Sequence, residues 1–202
     1  VDHDDVVRWY GPWAMVKPDD AVALCAGLEV PWWINGGWAI EAYAAVRREH
    51  GDIDIGVFER DVYAVIAHFS RRFHVWAVGD GAMKPVRDAS QLPSWTDGLW
   101  VREHATAPWL LDIQLTGDRD GKWVYPGDST LAMPLTEATW EARGIRYLRP
   151  ELVLLFKAGE ASARDETDLV ATLPWLDAAG RHRCADLIRQ QHPAHPWLEI
   201  LA

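Results

Sequence analysis

A chain of 202 residues with 49% apolar and 25% charged side chains suffices for one ordinary domain, or for a small catalytic domain with a helical appendage. It contains no run of about eighteen apolar residues, which excludes a membrane-spanning helix. A formal net charge of −10 disfavours a nucleic-acid partner, whose phosphates demand a basic surface, and suits a small cationic ligand concentrated by an acidic cleft.

The opening VDHDDVV is acidic and has no apolar signal-peptide core. Pro18-Asp19-Asp20 then starts a helix with acidic first-turn residues, ending before Pro31. Trp32, Trp33 and Ile34 are β-formers that run into the turn signal Asn35-Gly36-Gly37. From Trp38, apolar residues recur at helical spacing through Ala39, Ala42, Tyr43 and Val46, giving way to Arg47, Arg48 and Glu49, with Gly51 as the breaker. Asp52-Ile53-Asp54-Ile55-Gly56-Val57 alternates with period two, and on a strand that places both carboxylates on one face. Two like charges so close are costly unless a cation sits between them, and Mg²⁺ is commonly held by one or two carboxylates plus substrate phosphates. The glycines before the helix allow close approach of a phosphate to free helix-start N–H groups.

Further along, residues 60–72 read as a helix and Phe73 to Val78 as a strand. The stretch 79–97, rich in Gly, Pro, Ser and Asp, reads as an irregular loop. Leu99 to His104 and Trp109 to Thr116 are predicted strands, and Asp118-Arg119-Asp120-Gly121 a hairpin signal leading to a strand at 122–125. Ile145 to Leu148 is a last short strand, after which Pro150 begins the first of three helices, the others spanning 163–173 and 178–191. The tail from His192 is punctuated by prolines. Cys25 and Cys184 lie in separate helical segments without metal-ligand spacing and read as free buried thiols in a reducing cytoplasm. The 13 tryptophans are expected mostly in the core or at interfaces, Trp38 packing against the glycine turn.

Asp112 stands in an otherwise apolar run, Trp109-Leu-Leu-Asp-Ile-Gln-Leu-Thr. A carboxylate there must be paired, hydrogen-bonded or facing a cleft. Glu103 and His104, at the end of the preceding strand, are weaker candidates for a general base.

Glycine turn, short helix and Asp-x-Asp strand, in that order, resemble the signature of the polymerase-β-like nucleotidyltransferase superfamily. The finer text, GGWAIEA followed by R-x-H-x-D-I-D-I, is similar to its aminoglycoside 2''-adenylyltransferase and lincosamide nucleotidyltransferase branch. The resemblance implies an α+β fold: a mixed nucleotidyltransferase sheet with helices over residues 1–149, then a helical region, 150–202, packed on that core. It implies Mg²⁺ held by Asp52 and Asp54. It gives Asp112 one of two roles, general base toward an acceptor hydroxyl or further metal ligand. Gly36 and Gly37 would hold the phosphates, Arg48 would contact them, His50 would shape the turn into the metal strand, and Lys157 would reach the nucleotide. The segment from Tyr147 to Asp168 also resembles the branch, but Arg164 is followed directly by Asp165, so a lysine usual at that point is absent. Arg164 is expected to form a structural salt bridge with Asp165 or Asp168.

The function implied is Mg-dependent transfer of a nucleoside monophosphate, from ATP or another NTP, to a hydroxyl of a small cationic acceptor such as an aminoglycoside-like antibiotic. The acceptor would bind between core and C-terminal helices, against an acidic rim of Asp118, Asp120 and Glu160. Two other readings stand beside it: modification of a protein side chain, as in toxin–antitoxin members of the superfamily, and a nucleotide-binding module without turnover.

Overall fold

The structure is a computed structural model that describes residues 3–159 and 161–202. Helices α1 (His3–Tyr10) and α2 (Pro18–Leu24) precede β1 (Trp32–Ile34), α3 (Gly36–Ala44), β2 (Asp54–Phe58) and α4 (Val62–Phe69). Four strands follow: β3 (His74–Gly79), β4 (Ala82–Val86), β5 (Gly98–Arg102) and β6 (Trp109–Thr116). Then come β7 (Asp118–Arg119), β8 (Lys122–Tyr125), β9 (Asp128–Pro134), α5 (Leu135–Ala138), β10 (Thr139–Ala142) and β11 (Ile145–Leu148). The chain closes with α6 (Pro150–Ala158), α7 (Ala163–Thr172), α8 (Ala178–Gln191) and α9 (Trp197–Leu201).

Eight strands form one sheet in the order β10-β11-β1-β2-β6-β5-β3-β4, and β7-β8-β9 form a smaller one. Most neighbours are antiparallel, but β2 runs parallel to β6 and β1 parallel to β11. Alternation along the central strands sends Ile55, Val57, Leu99, Val101, Leu111 and Ile113 into one core cluster with Val62, Val65, Ile66 and Phe69 of α4. The intervening positions, among them Asp54, Asp112 and Gln114, are partly exposed or face the opposite side. Against the β1 side, α6 packs on α3, α7 and α8. Gly56 makes room for this arrangement, since a Cβ there would lie 2.3 Å from the ring of Trp33, a fully buried side chain.

Several expectations change in detail. The segment 79–97 is not irregular throughout: Asp80 and Gly81 take left-handed conformations (φ 53° and 71°) and turn β3 back into β4. That edge strand tolerates Pro85 because one side of its ladder is unpaired. Strands β9 and β10 and helices α1, α5 and α9 are elements beyond those predicted. Helix α3 begins at Gly36 and ends at Ala44, where Ala45 closes it in a left-handed conformation (φ 53°), well before Gly51. The ladder of β2 starts at Asp54, so Asp52 lies in the segment leading into the strand. Both cysteines are free and buried. Of the tryptophans, Trp33, Trp109, Trp123 and Trp197 are core residues, whereas Trp9 and Trp175 are exposed. No helix among the described residues is long and apolar enough to cross a membrane.

Candidate active site

Parallel pairing of β2 with β6 puts Asp54 directly beside Asp112, and antiparallel pairing of β6 with β5 puts Trp100 next in the same row. The Asp112 N–H donates to the Ile53 carbonyl at 3.1 Å, which locks this register. Burial is the main force on both carboxyls. It pushes Asp54 up to about 7, with the charge of Asp52 adding to it and Lys157 and Arg48 opposing. It holds Asp112 well above the ordinary carboxylate range, with Asp54 and then Asp52 adding. Carboxylates this reluctant to ionise fit a site built to receive a cation. Among the described residues, however, no three His, Cys, Asp or Glu side chains converge closely enough to hold a metal alone. Asp54 and Asp112 are aligned by the ladder, and Asp52 enters from the segment just ahead of it, close enough for its charge to act on both.

The helix start beside them is shaped by the same residues. Gly36 has φ +59°, and a Cβ on it would lie 2.1 Å from Asp54 Oδ2. A Cβ on Gly37 would lie 1.4 Å from Arg48 Nη2, so the guanidinium rests on the turn itself. Asn35 occupies the N-cap, yet no side chain caps α3. Its Nδ2 donates instead to Gln114 Oε1 at 2.7 Å, and Gln114 Nε2 donates to Asp54 Oδ1 at 3.1 Å. The first N–H groups of the helix thus remain without a side-chain partner, the usual setting for an anion.

The turn from α3 into β2 is organised by Glu41. Its carboxylate accepts from the Arg48 N–H at 3.1 Å and contacts His50 Nε2 at 2.8 Å. His50 stacks on Trp38 with centroids 3.7 Å apart, and Trp38 Nε1 donates to the Asp52 carbonyl at 3.1 Å. Burial lowers the His50 pKa, with the Glu41 hydrogen bond opposing. His50 accordingly holds the turn in shape while also lining the cleft.

The C-terminal helices supply the remaining charges. Val153, Phe156 and Lys157 share one face of α6 by helical spacing, and Asp165 and Asp168 share one face of α7. Lys157 Nζ lies 2.6 Å from Asp165 Oδ1 and 2.8 Å from Asp168 Oδ2. Arg48 meets Asp168 through Nε at 3.0 Å and Nη2 at 3.3 Å. Asp168 is only 1% exposed, so this is a buried cluster tying helix to sheet. The structural salt bridge expected of Arg164 is made by Lys157 and Arg48 instead. Burial raises the Asp165 carboxyl, but hydrogen bonds from Lys157 and Ser162 outweigh it and hold the group below its usual range.

A cavity of 230 Å³ gathers Gly36, Gly37, Arg48, His50, Asp52, Asp54 and Lys157, together with Ser162, Arg164 and Asp165. A second cavity, of 220 Å³, adjoins it through Gly36, Lys157 and Asp165 and is lined also by Asn35, Gln114, Leu148, Val153 and Phe156. Neither Asp118 nor Asp120 of the expected acidic rim lines either cavity. Asp118 pairs with Arg60, Asp120 sits at the tip of the β7–β8 hairpin, and Glu160 lies outside the described residues. Glu103 and His104 lie beyond the end of β5 and line neither cavity. Sequence reasoning missed Gln114, Glu41 and Asn35 as organisers. Period two from Asp112 pointed to Gln114; nothing local pointed to the partners of Glu41.

A strand–glycine turn–helix unit beside carboxylates on paired strands, closed by helices carrying basic residues, defines an enzyme of the nucleotidyltransferase class. The family model for aminoglycoside-2''-adenylyltransferase matches residues 20–171, and the chain belongs to that family. No curated protein sequence matches the chain. Among solved structures, it is similar to lincomycin-bound lincosamide antibiotic adenylyltransferase LnuA: 19% identity, TM-score 0.56, covering 82% of this chain and 99% of that one. It is similar also to the solution structure of the antibiotic-resistance factor ANT(2'')-Ia, with 19% identity, TM-score 0.56, and coverage of 89% and 91%. The complex of ANT(2'')-Ia with adenylyl-2''-tobramycin matches at 17% identity and TM-score 0.55, covering 85% of this chain and 92% of that one. At such identity the likeness establishes the fold.

Proposed function

We propose that the protein transfers an adenylyl group from ATP, in the presence of Mg²⁺, to a hydroxyl of a small cationic antibiotic of the aminoglycoside or lincosamide kind. The observation that carries this is the placement of Asp54 and Asp112 in register on adjacent parallel strands, beside an uncapped helix start flanked by Arg48 and Lys157. Residues 1–149 supply the carboxylates, the glycine turn and Arg48; residues 150–202 supply Lys157 and Arg164.

Asp52 and Asp54 would hold the metal together with phosphate oxygens, and Asp112 remains beside them. The bound metal supplies charge neutralisation on the phosphates during in-line displacement. Backbone N–H groups at Gly36 and Gly37 bind the outer phosphates, and Arg48 and Lys157 balance their charge. The acceptor oxygen bonds to the α-phosphorus, the bond from that phosphorus to the β-bridging oxygen breaks, and pyrophosphate leaves. Asp112 takes the hydroxyl proton. A carboxylate held above its ordinary range by burial is a better proton acceptor than a solvated one. The overall charge of −10 favours a cationic acceptor at long range.

Incubation with Mg-ATP and a panel of aminoglycosides and lincosamides, followed by mass spectrometry, tests this reading. The expected product carries one added adenylyl group. Absence of an adduct on every compound, with ATP bound but unconsumed, removes the proposed acceptor class.

A further inference from the structure

A third cavity, of 390 Å³, shares no lining residue with the two at the active site. We propose that it binds a small organic anion and serves as an effector site for the nucleotide cleft. Three segments meet around it: the start of α2, the end of α3 with the residues after it, and the turn between β10 and β11. Each brings one cation, Lys17, Arg47 and Arg143 in turn. None of the three is in an ion pair among the described residues, whose salt bridges engage other cations. Like charges gathered at one cavity repel unless an anion sits among them. Of the two carboxylates that line it, Glu41 is taken by the Arg48 N–H and His50, which leaves Asp19 against three cations.

Tyr147 fixes the sign of the ligand. It lines the cavity, is only 5% exposed, and its hydroxyl has no hydrogen-bond partner among the described residues. Burial and the charge of Asp19 push the phenol pKa up against Arg143, so the group keeps its proton and offers it. A buried donor in that state calls for an acceptor from the ligand, and the cations around it make that acceptor an anion. Trp38, Ala42 and Ile145 give the rest of the cavity an apolar wall, and its volume falls within the range of small-molecule sites. The ligand is therefore an anionic group on an apolar body rather than a bare ion.

Occupancy is felt at the catalytic turn through a shared wall. Trp38 and Glu41 lie three residues apart on one face of α3. Trp38 Nε1 donates to the Asp52 carbonyl at 3.1 Å, and Glu41 accepts from the Arg48 N–H at 3.1 Å. Arg47 is the immediate neighbour of Arg48. An anion that ties Arg47 to Lys17 and Arg143 fastens the segment carrying Arg48 into the nucleotide cavity, so Mg-ATP meets a preorganised site. This effector role rests on the NTP donor proposed above. By linkage, Mg-ATP raises affinity for the anion by the same factor.

Titration calorimetry on the full chain, with phenyl phosphate as the probe, tests both parts. With Mg-ATP saturating the nucleotide cleft, wild type should bind phenyl phosphate roughly tenfold more tightly than inorganic phosphate, the scale of burying part of an apolar ring. Tyr147→Phe and Arg143→Gln should each weaken phenyl phosphate about tenfold, the loss of one charge-assisted hydrogen bond. Neither should change Mg-ATP affinity when phenyl phosphate is absent, which also shows that the variants are folded. Saturating phenyl phosphate should tighten Mg-ATP on wild type about fivefold. The site is overturned if wild type does not bind the probe, if binding ignores both substitutions, or if inorganic phosphate binds as tightly. Weakened Mg-ATP in the presence of the probe means competition for the phosphate cleft and overturns it as well; unchanged Mg-ATP affinity overturns the effector role. Wild type that fails to bind Mg-ATP, while probe binding still responds to Tyr147 and Arg143, supports the site and removes the donor reading instead.

Discussion

Asp54→Asn should stabilise the metal-free protein, and increasingly so as pH rises. In the folded state burial and Asp52 push the Asp54 carboxyl from its ordinary 3.8 to about 7. Between these values the unfolded chain has released the proton and the folded one has not. A folded-state pKa that is raised means stability is greatest below about 4, falls as pH climbs, and levels off above about 7. At about 1.36 kcal/mol per pH unit the deficit has a ceiling of ~4 kcal/mol. Solvent reaching the partly exposed side chain reduces it to ~2 kcal/mol. For a chain of this size that corresponds to roughly 4–8 °C in Tm. The asparagine keeps an oxygen for the Gln114 donor and removes only the charge. Calorimetric scans in EDTA from pH 4.5 to 8 should show the variant's Tm advantage growing across that window. Adding Mg²⁺ at pH 7.5 should then raise wild type more than the variant. A Tm difference that stays flat with pH, or an equal response to Mg²⁺, would refute the argument that these carboxylates are poised for a cation.

Asp112→Asn should lower turnover by about 10²–10⁴-fold while leaving Mg-ATP affinity unchanged in calorimetry, because proton removal from the acceptor is lost and the phosphate site is not. Gly37→Ala should abolish activity with a loss in Tm, since its Cβ would fall 1.4 Å from Arg48 Nη2; wild-type kinetics in that variant would show the guanidinium is free to leave the turn. Asp168→Asn should cost about 3–5 kcal/mol in denaturant unfolding, as breaking a buried ionic cluster strands Arg48 and Lys157. Loss below about 1 kcal/mol would mean solvent already satisfies those cations.

The stretch from Trp32 to Val57 was legible because each part rests on local physics. Asn-Gly-Gly terminates a strand, apolar spacing marks the helix, and alternation marks the second strand. Asp112 stood out for a local reason as well, a charge in an apolar run. Pro150 similarly announced the start of the first C-terminal helix, while the caps at Ser162 and Asp177 emerged only in the structure. The hairpin into β4 was legible in principle, since Gly-Asp-Gly allows the left-handed turn, but the prolines and serines after it masked the strand.

What tertiary structure alone decided is which of these pieces meet. Periodicity placed Asp52 and Asp54 on one face, but the start of the β2 ladder is set by pairing with β1 and β6, and it excludes Asp52. Asp54 and Asp112 are neighbours only because β2 and β6 run parallel in one register, which no local pattern specifies. The partner of Arg48 could not be read from its own helix, because Asp168 arrives from α7 once α6 and α7 have packed on α3. Local sequence sets backbone preferences through sterics and nearby hydrogen bonds. Buried charge placement depends on which surfaces desolvate together, and that is settled only when the whole core closes.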